Sequence, residues 1–196
     1  MPKKSCGFES HHRYHCVTRL MSKLQPPDTH HLSAAEGWFE LGNHQEALAE
    51  LGQISATEQG RLEVLGLRWS ISAQLKLWDE CVGIAAAIVE LAPKAVFGWI
   101  HRSYALHELQ RTREARDLLL PALKKFPKNE TVPYNLACYE CQLGDLAEAR
   151  RWLLQAMKLR KPAALKAQAL ADPDLKPLWA EIEKMPVSTK GFGSNA

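Results

Sequence analysis

Cys138-Tyr-Glu-Cys141 is a CxxC pair, the spacing used in disulfide exchange and in many metal sites. A redox pair works from a helix N-terminus, where the thiolate is stabilised. The residues around this pair read as the middle of a helix, which argues against redox and metal chemistry. Near the start of the chain, Cys6, His11, His12, His15 and Cys16 are the right ligand types for zinc. Their spacing matches no common closed site, and a polar tail accounts for them as well. His101 and His107 have no cysteine or serine nucleophile close by that would make a dyad. Nothing resembles a phosphate loop or a paired-carboxylate site. The residues therefore imply no enzyme, no cofactor and no metal.

The elements around these residues follow a strict period. A small residue recurs every 34 positions at Ala47, Cys81, Ala115 and Ala149, each after a glutamate (Glu46, Glu80, Glu114, Glu148). Each also lies six residues after a leucine, at Leu41, Leu75, Leu109 and Leu143. A recurrence of this length, without insertions, marks an array of repeats.

The array reads as four helix pairs. The first helices are expected near 30–41, 61–75, 96–109 and 131–143. The second helices are expected near 44–55, 78–91, 112–125 and 146–159. Ala92-Pro93 and Phe126-Pro127 fall between pairs, where a missing N–H costs little. Pro121 falls inside a predicted helix and should kink it. Thr112 is the expected N-cap of the same helix. After Pro162 the register breaks. A short helix at 163–170 and another near 174–184, opened by Asp172-Pro173, read as a terminal cap. The domain reading is a flexible N-terminal tail over 1–27, four repeats over 28–161, capping helices over 162–185 and a disordered tail over 186–196.

Composition sets the class. With 46% hydrophobic and 24% charged residues, the chain is an ordinary globular one, and no apolar run reaches bilayer length. The N-terminus has charge but no apolar stretch behind it, unlike a secretory signal. Five cysteines, an odd number, suggest reduced thiols and a cytoplasmic setting. The net charge of +3 hides an asymmetry. Residues 21–110 hold 6 Lys/Arg against 11 Asp/Glu, whereas residues 111–166 hold 12 against 6.

The stretch from Pro133 to Arg150, reading PYNLACYECQLGDLAEAR, resembles a tetratricopeptide (TPR) unit. Val96-Phe-Gly-Trp-Ile-His-Arg-Ser-Tyr-Ala-Leu-His-Glu-Leu, followed by Arg113-Glu-Ala, resembles another. The resemblance covers residues 28–161 and implies an all-α, right-handed superhelical solenoid of four TPR helix pairs with C-terminal capping helices. The family's small-residue column in the first helix is filled by Ala35, Ser103 and Ala137. Trp69 departs from it and should push its helices apart or tilt them. The family's inter-helix glycine is present at Gly42 and Gly144 but replaced by Lys76 and Gln110. The ending Ala-Asp-Pro-Asp-Leu-Lys-Pro-Leu-Trp is similar to those of small stand-alone bacterial TPR proteins. A few of that size are described as bacterial kinesin-light-chain-like, which would imply binding to a bacterial tubulin polymer.

The resemblance implies a non-catalytic scaffold that holds a peptide or helix of another protein in a concave groove lined by first-helix side chains. Helical spacing places Phe39, Leu67, Ile100, His101, Tyr104, His107, Tyr134, Asn135 and Cys138 there. Asn135 offers both a donor and an acceptor to a bound peptide backbone. The Lys/Arg/Asn carboxylate clamp of the family's chaperone-binding members is missing: Leu32, Glu36, Leu67, Phe97 and His101 fill those columns. A second candidate surface is basic: Arg111, Arg113, Arg116, Lys124, Lys125, Arg150 and Arg151. It suits an acidic or filamentous partner such as bacterial tubulin. Without interleaved exposed aromatics it does not suit nucleic acid.

Overall fold

A computed structural model describes residues 23–186. Cys6, His11, His12, His15 and Cys16 and most of both expected tails lie outside the described residues. All secondary structure among the described residues is helical. The chain forms two compact units that divide between Gln110 and Arg111.

The first unit holds α1 (Asp28–Glu40), α2 (His44–Gln53), α3 (Leu62–Gln74), α4 (Trp78–Leu91) and α5 (Val96–Glu108). Each helix packs on the next. Ala35, Ala47, Leu51, Ile54, Val64, Leu67 and Ile71 form a contiguous core. Asp28 fastens the start of α1 to the end of α2: its carboxylate accepts from the Ser55 amide and from the Ser55 hydroxyl, both at 2.7 Å. The hydroxyl bond, then the amide bond, hold this carboxyl below its ordinary value. Gln59 closes the other side of the loop by donating to the Leu51 and Ile54 carbonyls at 2.8 and 2.7 Å.

The second unit holds α6 (Thr112–Leu119), α7 (Ala122–Lys125), α8 (Thr131–Leu143), α9 (Leu146–Leu159) and α10 (Pro162–Ala171). A 3-10 helix, Pro173–Leu178, and α11 (Trp179–Lys184) follow. Pro121 interrupts the expected 112–125 helix, splitting it into α6 and α7. Thr112 is the first residue of α6, and Arg111 is its N-cap, which corrects the expected cap by one position. Asp145 caps α9 by accepting from the Glu148 amide at 3.0 Å.

The 34-residue register appears in two physical columns. Ala47, Cys81, Ala115 and Ala149 are each wholly buried, so larger side chains are excluded where each second helix meets its neighbours. The turns between paired helices all pass through the left-handed region, at Gly42 (φ 78°), Lys76 (φ 59°), Gln110 (φ 63°) and Gly144 (φ 88°). The backbone thus keeps the glycine conformation at the two places where the sequence lacks glycine, at a cost of about 1 kcal/mol each. Gly98 marks a close helix approach: a Cβ there would lie 2.9 Å from the Val89 amide nitrogen of α4.

Candidate functional site: the first-helix faces of the two units

In the first unit an aromatic cluster joins α3 to α5. Phe97 stacks on His101 with ring centroids 3.7 Å apart. Trp69 meets the edge of His101 at 4.2 Å, of Phe97 at 5.9 Å and of Tyr104 at 6.5 Å. Trp78 of α4 closes on Tyr104 at 5.7 Å. Such edge contacts stabilise beyond area burial alone. They account for Trp69 in a small-residue column: the indole is wholly buried and is accommodated among the rings of the next pair.

His101 Nδ1 lies 2.9 Å from the Phe97 carbonyl, one turn back. A carbonyl only accepts, so Nδ1 carries the proton, which fixes the tautomer and holds the ring flat against Phe97. Phe97, Ile100 and His101 remain half-buried on α5, as do Val96, Trp99, Arg102 and Glu108. Beneath them Leu67, Tyr104 and His107 are buried. Phe39 is half-buried on α1, edge-on to His44 at 5.6 Å. Glu36 and Glu40, one turn apart on α1, are exposed. Desolvation, then the Glu40 charge, raise the Glu36 carboxyl above its ordinary value.

In the second unit the equivalent face is covered. Residues 132 to 141 of α8 are all buried. A helix buried all round belongs to an interior, and α8 is packed by α6, α9 and the 3-10 helix. Asp172 is the central contact of that cover. Its carboxylate accepts from the Tyr134 hydroxyl at 2.9 Å, from the Cys138 thiol at 3.7 Å and from the Asp174 amide at 3.1 Å. Gln142 donates to the Asp174 carbonyl at 2.8 Å. Tyr134, Cys138 and Gln142 lie four residues apart, so residues 172–174 run along one stripe of α8.

Those contacts correct part of the sequence reading. Tyr134 and Cys138 do not line an open groove, because the chain's own C-terminal turn sits on them. Asn135 is buried as well, at 1% exposure, so it offers no open amide to a partner. The buried thiol of Cys141 is pushed up to about 11, first by burial and then by the Asp174 and Asp172 charges, the reverse of an activated thiolate.

The basic surface is largely engaged. Arg111 pairs with Glu114 at 2.7 Å, and Arg150 reaches Glu181 at 3.5 Å. Arg116 pairs with Asp117 at 2.8 Å and Glu140 at 3.5 Å. Arg151 donates to Glu148 and lies over the Trp152 ring at 4.0 Å. Arg113 and Lys124 are exposed and form no ion pair among the described residues, and Lys125 is exposed beside them. These side chains are therefore not one free cationic patch. Asp172 is the functional-looking residue that sequence reasoning took for an N-cap alone. It is that cap, and the phenol contact 38 residues away has no local signal. Among the described residues no helix is long and apolar enough to cross a membrane.

No family model and no curated protein matches the sequence. Solved structures do resemble the fold. A structure of MamA from Desulfovibrio magneticus RS-1, residue 41 to its end, is 16% identical with a TM-score of 0.66, covering 83% of this chain and 94% of that one. A thermophilic TPR protein of Thermus thermophilus is 18% identical with a TM-score of 0.58, covering 81% of this chain and all of that one. MamA of strain AMB-1 is 22% identical with a TM-score of 0.58, covering 66% of this chain and 70% of that one. The fold is that of a tetratricopeptide-type helical repeat.

Proposed function

We propose that this chain of tetratricopeptide fold is a non-catalytic scaffold that binds a peptide or helix of a partner protein on the first-helix face of its first unit. The observation that carries this reading is the half-buried strip Phe97, Ile100 and His101, held rigid from below by Trp69 and Tyr104. A rigid aromatic floor with an aliphatic neighbour and a ring nitrogen on its rim suits an extended or helical peptide, because little side-chain entropy is lost on contact. Phe39, Leu67 and His107 extend the same face or support it.

Ile100→Glu with His101→Ala should abolish co-purification of the partner from native cells while helicity holds and the melting temperature falls only by the loss of the His101 ring contacts. Charge reversal of Arg113 and Lys124 should leave co-purification intact. If the second pair of substitutions removes the partner and the first does not, the binding surface lies in the second unit. A filament-binding role through the exposed cations Arg113 and Lys124 would then be the better reading, with an acidic polymer such as bacterial tubulin as its partner.

A further inference from the structure

Each repeat after the first buries a stripe of its first helix that the first repeat leaves open. One period apart, Gly37, Ile71, Ala105 and Tyr139 share a column, as do Trp38, Ser72, Leu106 and Glu140. Ile71, Ala105, Tyr139, Ser72 and Leu106 are wholly buried, and Glu140 is buried. On α1 the same stripe is open. Gly37 is half-buried, Trp38 is 38% exposed, and Leu41, one turn on, is 77% exposed. The cover can be seen on α3, where Ile71 shares one core with Ala47 and Leu51 of α2. Among the described residues, no second helix precedes α1.

No contact within the fold accounts for Gly37. A glycine inside a helix costs stability relative to alanine. A Cβ at Gly37 would meet no atom within 4 Å among the described residues. Helical spacing sets His30, Ser33, Ala34, Gly37, Trp38 and Leu41 in one stripe. That stripe is centred opposite Leu32 and Phe39, which pack on the core.

The stripe suits a second copy of itself. It carries no Asp, Glu, Lys or Arg, so two copies meet without like-charge repulsion along it. Its large residues, Trp38 and Leu41, lie at the end of α1, and its small ones, Ser33, Ala34 and Gly37, come before them. Laid antiparallel, two such helices set Trp38 against Ala34 and Leu41 against His30, with the backbones closest near Gly37. The last second helix of a copy, α9, is not free to cover α1, because α10 and the 3-10 helix pack on it. Head-to-tail continuation of the array is therefore closed.

We infer that the outer stripe of α1 is a dimer face, on which α1 of a second copy packs antiparallel. Six side chains are far fewer than the ~20–30 a side of a standard interface, so the dimer is weak, with a Kd on the order of 100 µM. The inference is independent of the scaffold reading, since the stripe includes none of the residues assigned to partner capture.

Sedimentation of the full chain under reducing conditions, which keep Cys6 and Cys16 from linking copies, tests the inference. A monomer–dimer equilibrium should appear between about 10 and about 500 µM. Leu41→Glu should weaken it at least tenfold with circular dichroism unchanged, because Leu41 is so exposed in its own chain. Gly37→Ala should raise the melting temperature yet weaken the dimer several-fold. Gly83→Ala on α4 is the matched control, since a Cβ there also meets no atom within 4 Å. It should raise the melting temperature and leave the dimer as it was. Residues 23–110 of each copy hold 6 Lys/Arg against 11 Asp/Glu. Raising salt from about 0.1 to about 1 M shortens the screening length from ~10 to ~3 Å and should therefore strengthen the dimer. A monomer throughout that concentration range, a dimer indifferent to Leu41→Glu, or equal weakening by both alanines overturns the inference. So does a dimer that salt dissolves, which would mean that the acidic first unit of one copy meets the basic second unit of another.

Discussion

The same column of first-helix positions is open in one unit and sealed in the other. In the first unit it runs through Leu32, Glu36 and Glu40 on α1, then through Ile100, Tyr104 and Glu108 on α5; apart from the buried Tyr104, these are half-buried or exposed. In the second unit the column is Tyr134, Cys138 and Gln142, and residues 172–174 lie on it. The acidic column of the second helices differs in a parallel way. Glu114 and Glu148 pair with Arg111 and Arg151, whereas Glu46 and Glu80 are exposed and pair with no cation among the described residues. One repeat rule thus yields a unit that satisfies itself and a unit that leaves contacts for something else.

Breaking each unit at its central contact should have the largest effects. Trp69→Ala removes a wholly buried indole and its ring contacts, and should destabilise the first unit by about 3–5 kcal/mol in denaturant melts. Substitution of the same column in the other unit, Ala137→Gly, removes one methyl and should cost far less, which sharpens the contrast. Tyr134→Phe deletes the bond to the buried Asp172 carboxylate and should cost about 1.5–3 kcal/mol. Proteolysis should then begin at the 172–174 turn. A Tyr134→Phe protein as stable as the parent would show that the cover is not held by this bond.

Smaller effects test the turns and the ion pairs. Lys76→Gly and Gln110→Gly remove left-handed strain at φ 59° and 63°, partly offset by the added freedom of the unfolded chain, so each should stabilise by up to about 1 kcal/mol. Gly144→Ala, at φ 88°, should do the reverse. Glu140 gives the smallest effect. Burial raises its carboxyl from the ordinary 4.5 and outweighs the attraction of Arg116. An acid raised on folding binds its proton more tightly in the native state. The second unit should therefore gain stability as pH falls through the raised value towards 4.5. Glu140→Gln should flatten that gain in a pH series of melts.

Much of the fold was legible because helix limits are written locally. Prolines, small residues and the 34-residue register placed α4 at 78–91, α8 at 131–143 and α9 at 146–159. The register even marked Lys76 and Gln110 as standing where glycine is usual. The site was less legible. A first-helix side chain points to the same side whether or not another segment covers it, so Ile100 and Tyr134 look alike in sequence. The cover comes from Asp172, 38 residues from its phenol partner, and the pattern of a turn says nothing about what it will sit on. Arg116 and Arg151 counted towards a basic surface because a charge count ignores pairing: Asp117 and Glu148 lie one and three residues away, and Glu140 meets Arg116 only when α6 packs on α8.

A photo-crosslinking amino acid placed at Ile100 in one variant and at Arg113 in another, in native cells, tests the central claim most directly. The account predicts a discrete protein adduct from position 100 and none from position 113. An adduct from position 113 alone would place binding on the basic unit and contradict it.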